Sequence, residues 1–124
     1  LASIALGTNS SAMTAIGNDY GYENVFSREI EAIANPADLI IAITTSGNSA
    51  NIIKAMEAAE RKNVTAVVLT GKCMGKLKEK TNTLNVPSTD TARIQECHIL
   101  LGHIICGIVE ATIFKANDPK NEEK

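Results

Sequence analysis

Residues 38–50 read Asp38-Leu39-Ile40-Ile41-Ala42-Ile43-Thr44-Thr45-Ser46-Gly47-Asn48-Ser49-Ala50. The continuous aliphatic run 39–43, bounded by Asp38 and a polar loop, is the best strand in the chain. A strand apolar at every position buries both faces, as the central strands of parallel sheets do. Residues 50–62 then follow a helical spacing. Ile52, Ile53, Met56 and Ala59 fall on one side, with Lys54, Glu57, Glu60 and Arg61 elsewhere. The unit is strand, hydroxyl-rich loop, helix.

The same alternation extends in both directions. Downstream, 64–69 is a β-branched run ended by Thr70-Gly71-Lys72, 75–79 is a short charged helix, and 83–86 is a short strand stopped by Pro87. Residues 91–114 form the last and longest helix, and 115–124 a polar tail. Upstream, 2–6 reads as a short strand ended by Gly7, and Ser10 or Ser11 caps a short helix running to Ile16. Residues 17–21 are turn-rich, and 23–34 is a helix closed by Asn35-Pro36. The order βαα–βα–βα–βα predicts an α/β domain over 1–114, with a mainly parallel sheet, right-handed crossovers and helices on its flanks.

Composition supports that class. The chain has 124 residues, 44% of them hydrophobic but only 3% aromatic, so its core is built from Ile, Leu, Val and Ala. The net charge of −2 and the absence of a basic block argue against nucleic-acid binding. No apolar run approaches the roughly 20 residues a membrane helix needs, and no signal peptide is visible. Cys73, Cys97 and Cys106 are odd in number and form no CxxC, so the expectation is reduced thiols in the cytosol. The chain starts at Leu1 and enters directly at an expected strand, which reads as a processed or N-terminally incomplete domain.

The loop 44–49 is the strongest chemical signal. It follows the carboxyl end of a parallel strand, where open α/β sheets bind ligands. It also opens a helix, whose free N–H groups favour an anion. It lacks the Lys of GxxxxGK[ST], so the fit is to a phosphate monoester held by neutral donors rather than to a triphosphate with Mg²⁺. The plain alternative is helix capping by Asn48 or Ser49.

The last helix is apolar on almost every side, so it is expected to be buried or to lie at a subunit interface. At about 100° per residue, Glu96, His103 and Glu110 fall within roughly 40° of one another. Gln95 lies about 80° from His103, near enough for long side chains to share a ligand, and His98 points elsewhere. His103 is open to two readings, a hydrogen-bonded core histidine or a general base or metal ligand. Asp19 reads locally as an Asx turn, and Lys72 and Lys76 as a solvated charged face.

Taken together, Ala-Ile-Gly-Asn-Asp-Tyr-Gly-Tyr at 15–22, Thr-Thr-Ser-Gly-Asn-Ser at 44–49, Leu-Thr-Gly-Lys at 69–72 and Ala-Arg-Ile-Gln-Glu at 92–96 with His103 resemble the sugar isomerase (SIS) domain. Within it the chain is similar to the phosphoheptose isomerases. That resemblance implies a flavodoxin-like three-layer sandwich lacking its N-terminal helices. It also implies conversion of sedoheptulose 7-phosphate to D-glycero-D-manno-heptose 7-phosphate, on the way to activated heptoses for surface polysaccharide such as lipopolysaccharide. Asn18 and Asp19 would contact the sugar, and Thr44, Thr45, Ser46 and Ser49 would bind substrate, largely at its phosphate. Gln95 would contact substrate and metal, and His103 would be a zinc ligand or an acid/base. One zinc per subunit, a homotetramer and a cytoplasmic location follow from the same resemblance. Two departures stand out. The family's Asn-Gly-Gly-Ser loop and its helix bearing a His and a catalytic Glu, which lie upstream, are absent here, so these 124 residues alone are expected to be inactive. Ala92 stands where some members carry Asp, with Asp90 nearby. The alternative is a non-enzymatic SIS protein of the replication-initiator-binding type that keeps the phosphosugar pocket.

Overall fold

A computed structural model describes residues 1–78 and 82–115. Three parallel strands, β1 (Leu39–Ile43), β2 (Thr65–Thr70) and β3 (Asn82–Asn85), lie side by side in sequence order. Ile43 is in register with Leu69, and Leu69 with Leu84. The helices are α1 (Ser10–Tyr20), α2 (Val25–Ile33), α3 (Ala50–Arg61) and α4 (Thr91–Glu110), the last continued by a π-helical turn, Ala111–Lys115.

The core lies between the sheet and α2 and α3. Alternate strand residues point to opposite faces. On one face Ala42 and Val68 are buried against Ile30 and Ala34 of α2 and Ala55, Met56, Ala58 and Ala59 of α3. Small residues on α3 let it lie close to the strands. Leu77, in a single 3-10 turn (Gly75–Leu77), closes the core from the loop side.

On the other face Leu39, Ile41 and Ile43 remain 58%, 46% and 58% exposed. β1 is therefore apolar on both faces but covered on one. This accounts for the first correction. Residues 2–6 form no strand, because beside β1 they would find an edge whose second face has no cover to reward pairing. The segment is tied instead by the Gly7 amide, which donates to Glu29 Oε2 at 2.7 Å, and by Leu6 against the core.

Three further expectations change. Asn9, not Ser10 or Ser11, caps α1, its side chain accepting from the Ala12 amide at 3.1 Å. α1 continues through Gly17, Asn18 and Asp19 to Tyr20, so the expected 17–21 loop is helical up to Gly21. The last helix is not buried within this chain. Only Ile94 and His98 of α4 are buried, while Ile99, Leu100, Ile104 and Ile108 are exposed. Within Thr91–Phe114 the most apolar 18-residue window has a mean hydropathy of 1.8, enough by composition to cross a membrane, which qualifies the expectation of no such stretch. Arg93, Gln95, Glu96, His98, His103 and Glu110 interrupt it. The end of the expected 75–79 helix and the tail beyond 115 lie outside the described residues.

Candidate functional site at the carboxyl edge of the sheet

Because the strands are parallel, the loops after β1, β2 and β3 gather at one edge, and both α3 and α4 begin there. Thr44 continues β1 by one bond, its amide donating to Leu69 O at 3.0 Å. Its side chain is buried, and its Oγ1 lies 3.3 Å from Ser49 Oγ and accepts from the Gly47 amide at 3.3 Å. Ser46 Oγ accepts from the Asn48 amide at 3.2 Å. Asn48 Oδ1 accepts from the Lys76 amide at 3.2 Å, which joins this loop to the next. At Gly47 φ is +67°, and a Cβ would stand 2.1 Å from Met74 O. Only glycine fits that backbone against that neighbour.

The capping alternative fails on these contacts. Ser49 occupies the N-cap position of α3 yet makes no side-chain bond to the first turn. Its hydroxyl faces Thr44, and Asn48 is spent on Lys76. The first turn of α3 also carries no acidic residue. Asn51 Oδ1 accepts from the Ile52 amide at 2.9 Å, while the Ala50 and Asn51 amides show no partner among the described residues. The positive dipole end thus keeps open N–H groups, which suits an anion. Thr45 and Ser46 complete the rim, half-buried and exposed respectively.

The start of α4 is fastened to the same edge. The Lys72 amide donates to Ser88 O at 3.0 Å, and the Gly71 amide to Thr45 O at 3.2 Å. Asp90 caps α4, its Oδ1 accepting from the Ala92 amide at 2.9 Å. Asp90 is therefore committed to the helix and does not stand in for an acid at Ala92. Gln95 and His103 are both exposed on α4. For His103 this removes the core-histidine reading within the chain. The buried histidine is His98, which the helical-wheel reading set aside. His98 lies one turn after Ile94, the other buried residue of α4, and so shares its face.

Asn18 and Asp19 pair with each other, Asn18 Nδ2 donating to Asp19 Oδ1 at 2.8 Å. Among the described residues no hydrogen bond joins them, Gln95 or His103 to the hydroxyl loop. The chain itself assembles the four-hydroxyl cradle without a hydrogen bond, among the described residues, from the other expected site residues. A neighbouring groove, lined by Tyr20, Arg28, Lys54 and Arg61, holds cations already engaged. Arg28 stacks 3.9 Å over the Tyr20 ring, Arg61 pairs with Glu31 at 2.7 Å, and Lys54 approaches Glu23 at 3.9 Å.

Zinc takes four donors at about 2.0–2.3 Å. Gln95 and His103 lie eight residues apart on α4, about 12 Å along its axis. Among the described residues no group of three or more His, Cys, Asp or Glu converges. The residues present do not make a zinc site by themselves. All three cysteines are free, with Cys73 and Cys106 exposed.

Comparison with known proteins is consistent with this edge. A family model, the SIS domain, matches residues 1–71. The chain is 53% identical over 116 residues to the phosphoheptose isomerase of Aneurinibacillus thermoaerophilus, covering 93% of this chain and 59% of that protein. It is 50% identical over 111 residues to that of Rhodospirillum rubrum, covering 89% and 59%. It superposes on the phosphoheptose isomerase structure from Neisseria gonorrhoeae with a TM-score of 0.84 at 48% identity, over 88% of this chain and 62% of the other. The chain thus spans about three fifths of the length of the curated relatives it matches. On the family match, and with a parallel sheet whose carboxyl edge carries the hydroxyl loop, this chain belongs to the SIS domain family.

Proposed function

We propose that the protein is a sugar-phosphate aldose–ketose isomerase that interconverts sedoheptulose 7-phosphate and D-glycero-D-manno-heptose 7-phosphate. The observation that carries the reading is the uncapped N-terminus of α3, ringed by Thr44, Thr45, Ser46 and Ser49. It occurs in a chain about half identical to proteins named phosphoheptose isomerase. The loop would hold the phosphate. Gln95, fastened near the same edge through Ile94, would reach the sugar, with Asn18 and Asp19 as further sugar contacts.

Isomerisation removes a proton from the carbon α to the carbonyl, giving an enediol, and returns a proton to the neighbouring carbon. His103 would serve as one acid/base group, and the exposure of its ring is compatible with a place at a shared surface. The other group would be the Glu of the upstream segment that the resemblance implies. Zinc belongs to the proposal as an ion of the complete site. The long side chains of Gln95 and His103 would have to converge across the roughly two turns between them to supply two donors, and the upstream segment would supply the rest. Elemental analysis of the purified full-length protein tests it. The exposed apolar side of α4 supports a homo-oligomer of closed symmetry, a tetramer in this reading; a cytoplasmic location belongs to the proposal through the resemblance alone. No observation favours the non-enzymatic alternative.

The test is His103→Gln in the full-length protein, assayed by melting and by heptose-phosphate isomerisation. We expect a nearly unchanged Tm, since the ring is exposed, and a kcat lower by about 10²-fold or more. Normal kcat would remove His103 from the chemistry. Absence of isomerisation in the unsubstituted full-length protein would remove the enzyme reading itself.

A further inference from the structure

We infer that His98 is a positioning residue. By holding the Thr70 carbonyl it fixes the rotation of α4 and so the direction in which Gln95 leaves the helix. The inference deepens the proposed function and rests on it for the role of Gln95.

α4 is held to the rest of the chain by few side chains. Of its 20 residues only Ile94 and His98 are buried. They are one turn apart on one face, and they meet consecutive residues at the end of β2. Ile94 Cδ1 lies 2.5 Å from where a Cβ on Gly71 would stand. The same spot is 2.7 Å from Thr45 O and 3.2 Å from Ser88 O, so Gly71 is where β2, the hydroxyl loop and the segment entering α4 touch. An apolar contact such as this sets how closely the helix approaches but resists rotation weakly.

The directional contact is the histidine's. His98 is 4% exposed, and its Nε2 lies 3.3 Å from Thr70 O. A carbonyl only accepts, so Nε2 carries the hydrogen. The same carbonyl accepts from the Val86 amide at 2.8 Å. Thr70 O is therefore a node tying β2, the exit of β3 and α4 together, one residue before the amide that holds Thr45.

His98 Nδ1 is buried and has no hydrogen-bond partner among the described residues. An unpaired buried nitrogen costs stability, and a leucine of similar size would avoid that cost. A side chain present only to fill space is poorly explained by such a choice. A side chain needed for one aimed bond is well explained by it. Gln95 follows Ile94 directly, about 100° round the helix, so loss of the bond would let it swing while the loop keeps its own internal bonds.

The experiment compares His98→Leu and His98→Gln in the full-length protein. Kinetics use sedoheptulose 7-phosphate, and the side-chain amide resonances of Gln95 and Asn48 are followed by NMR. In His98→Leu we expect kcat to fall about tenfold or more, as misplacement of a few tenths of an ångström to an ångström can do. KM should stay within about twofold because the loop is intact. The Gln95 resonance should move while that of Asn48 stays. His98→Gln, which can donate to Thr70 O, should recover most of kcat. Normal kcat per folded molecule in His98→Leu, or a Gln variant no better than Leu, overturns the inference and leaves His98 a packing residue. If the unsubstituted protein does not isomerise the sugar, the functional reading falls separately. The inference is then decided by the Gln95 resonance alone, and an unmoved resonance overturns it.

Discussion

α3 and α4 both begin at the carboxyl edge of the sheet, and their first turns are finished differently. At α4 the chain supplies its own anion, the Asp90 carboxylate on the Ala92 amide, and Ser88 Oγ in turn accepts from the Asp90 amide at 3.1 Å. At α3 the cap position holds Ser49, whose hydroxyl turns to Thr44, and the first turn has no capping bond from it, Asn51 Oδ1 accepting only from the adjacent Ile52 amide. A helix end that needs only stability is served by an internal carboxylate. An end meant for an external phosphate must be left open, and the surrounding loop must then be held by something other than the cap. Here that support is Gly47 against Met74 and Asn48 against Lys76.

The largest effect expected from this contrast is at Gly47. Its positive φ and a Cβ 2.1 Å from a backbone oxygen leave no inexpensive adjustment. Gly47→Ala in the full-length protein should destabilise by roughly 3 kcal/mol or more and abolish phosphate binding, read by thermal melting and calorimetry. A variant that melts normally and binds phosphate would mean that the loop is not supported as described.

The next effect is on affinity rather than stability. Ser46→Ala and Ser49→Ala should each weaken sugar-phosphate binding by about 1.5–3 kcal/mol, the worth of a hydrogen bond to a charged group. For Ser49→Ala the melting temperature should barely move, because Ser49 makes no capping bond to lose. Unchanged affinity in both variants would return the α3 terminus to the status of an ordinary helix end.

A third variant addresses the exposed side of α4. Ile104→Glu introduces a charge on a surface that the single chain leaves bare. Light scattering of the full-length protein should show a smaller assembly at micromolar concentration. An unchanged assembly would place the interface elsewhere.

The contrast also shows what could be read from the amino acids alone. β1 was legible to the residue, and α3 and β2 to within one, because each carries its own periodicity and its own boundary residues. The hydroxyl loop was legible because four hydroxyl side chains exceed what one cap uses. What escaped depends on partners distant in sequence. Residues 2–6 have the composition of a strand, but a strand needs a covered face as well as a ladder, and the free edge of β1 offers the ladder without the cover. The fate of Ser49 could not be told from composition, because Asp90, Asn9 and Ser49 are all good capping types and only the fold decides which of them caps. That His98 rather than His103 is the buried histidine of α4 escaped for a similar reason. A helix apolar all round gives no periodic signal for its buried face, so the wheel could not say which histidine turned inward.

The smallest effect is also the cleanest control. Asp90→Ala removes the Ala92 bond and the negative charge at the start of α4, which should cost about 1 kcal/mol of stability. Asp90→Ser should restore most of it, because a serine hydroxyl can accept the same amide. Neither change touches the loop 44–49, whose supports come from Thr44, Met74 and Lys76. Phosphate affinity should therefore stay within about twofold, in contrast to Ser49→Ala, where affinity falls and stability does not. Equilibrium denaturation and calorimetry on the two variants, measured in parallel, give a crossed pattern if the two helix ends have the separate roles assigned here. If Asp90→Ala instead changes phosphate affinity as much as Ser49→Ala does, the ends act as one unit. The fixed point between them would then be Gly71, where Ile94 of α4 and the Thr45 carbonyl meet the end of β2.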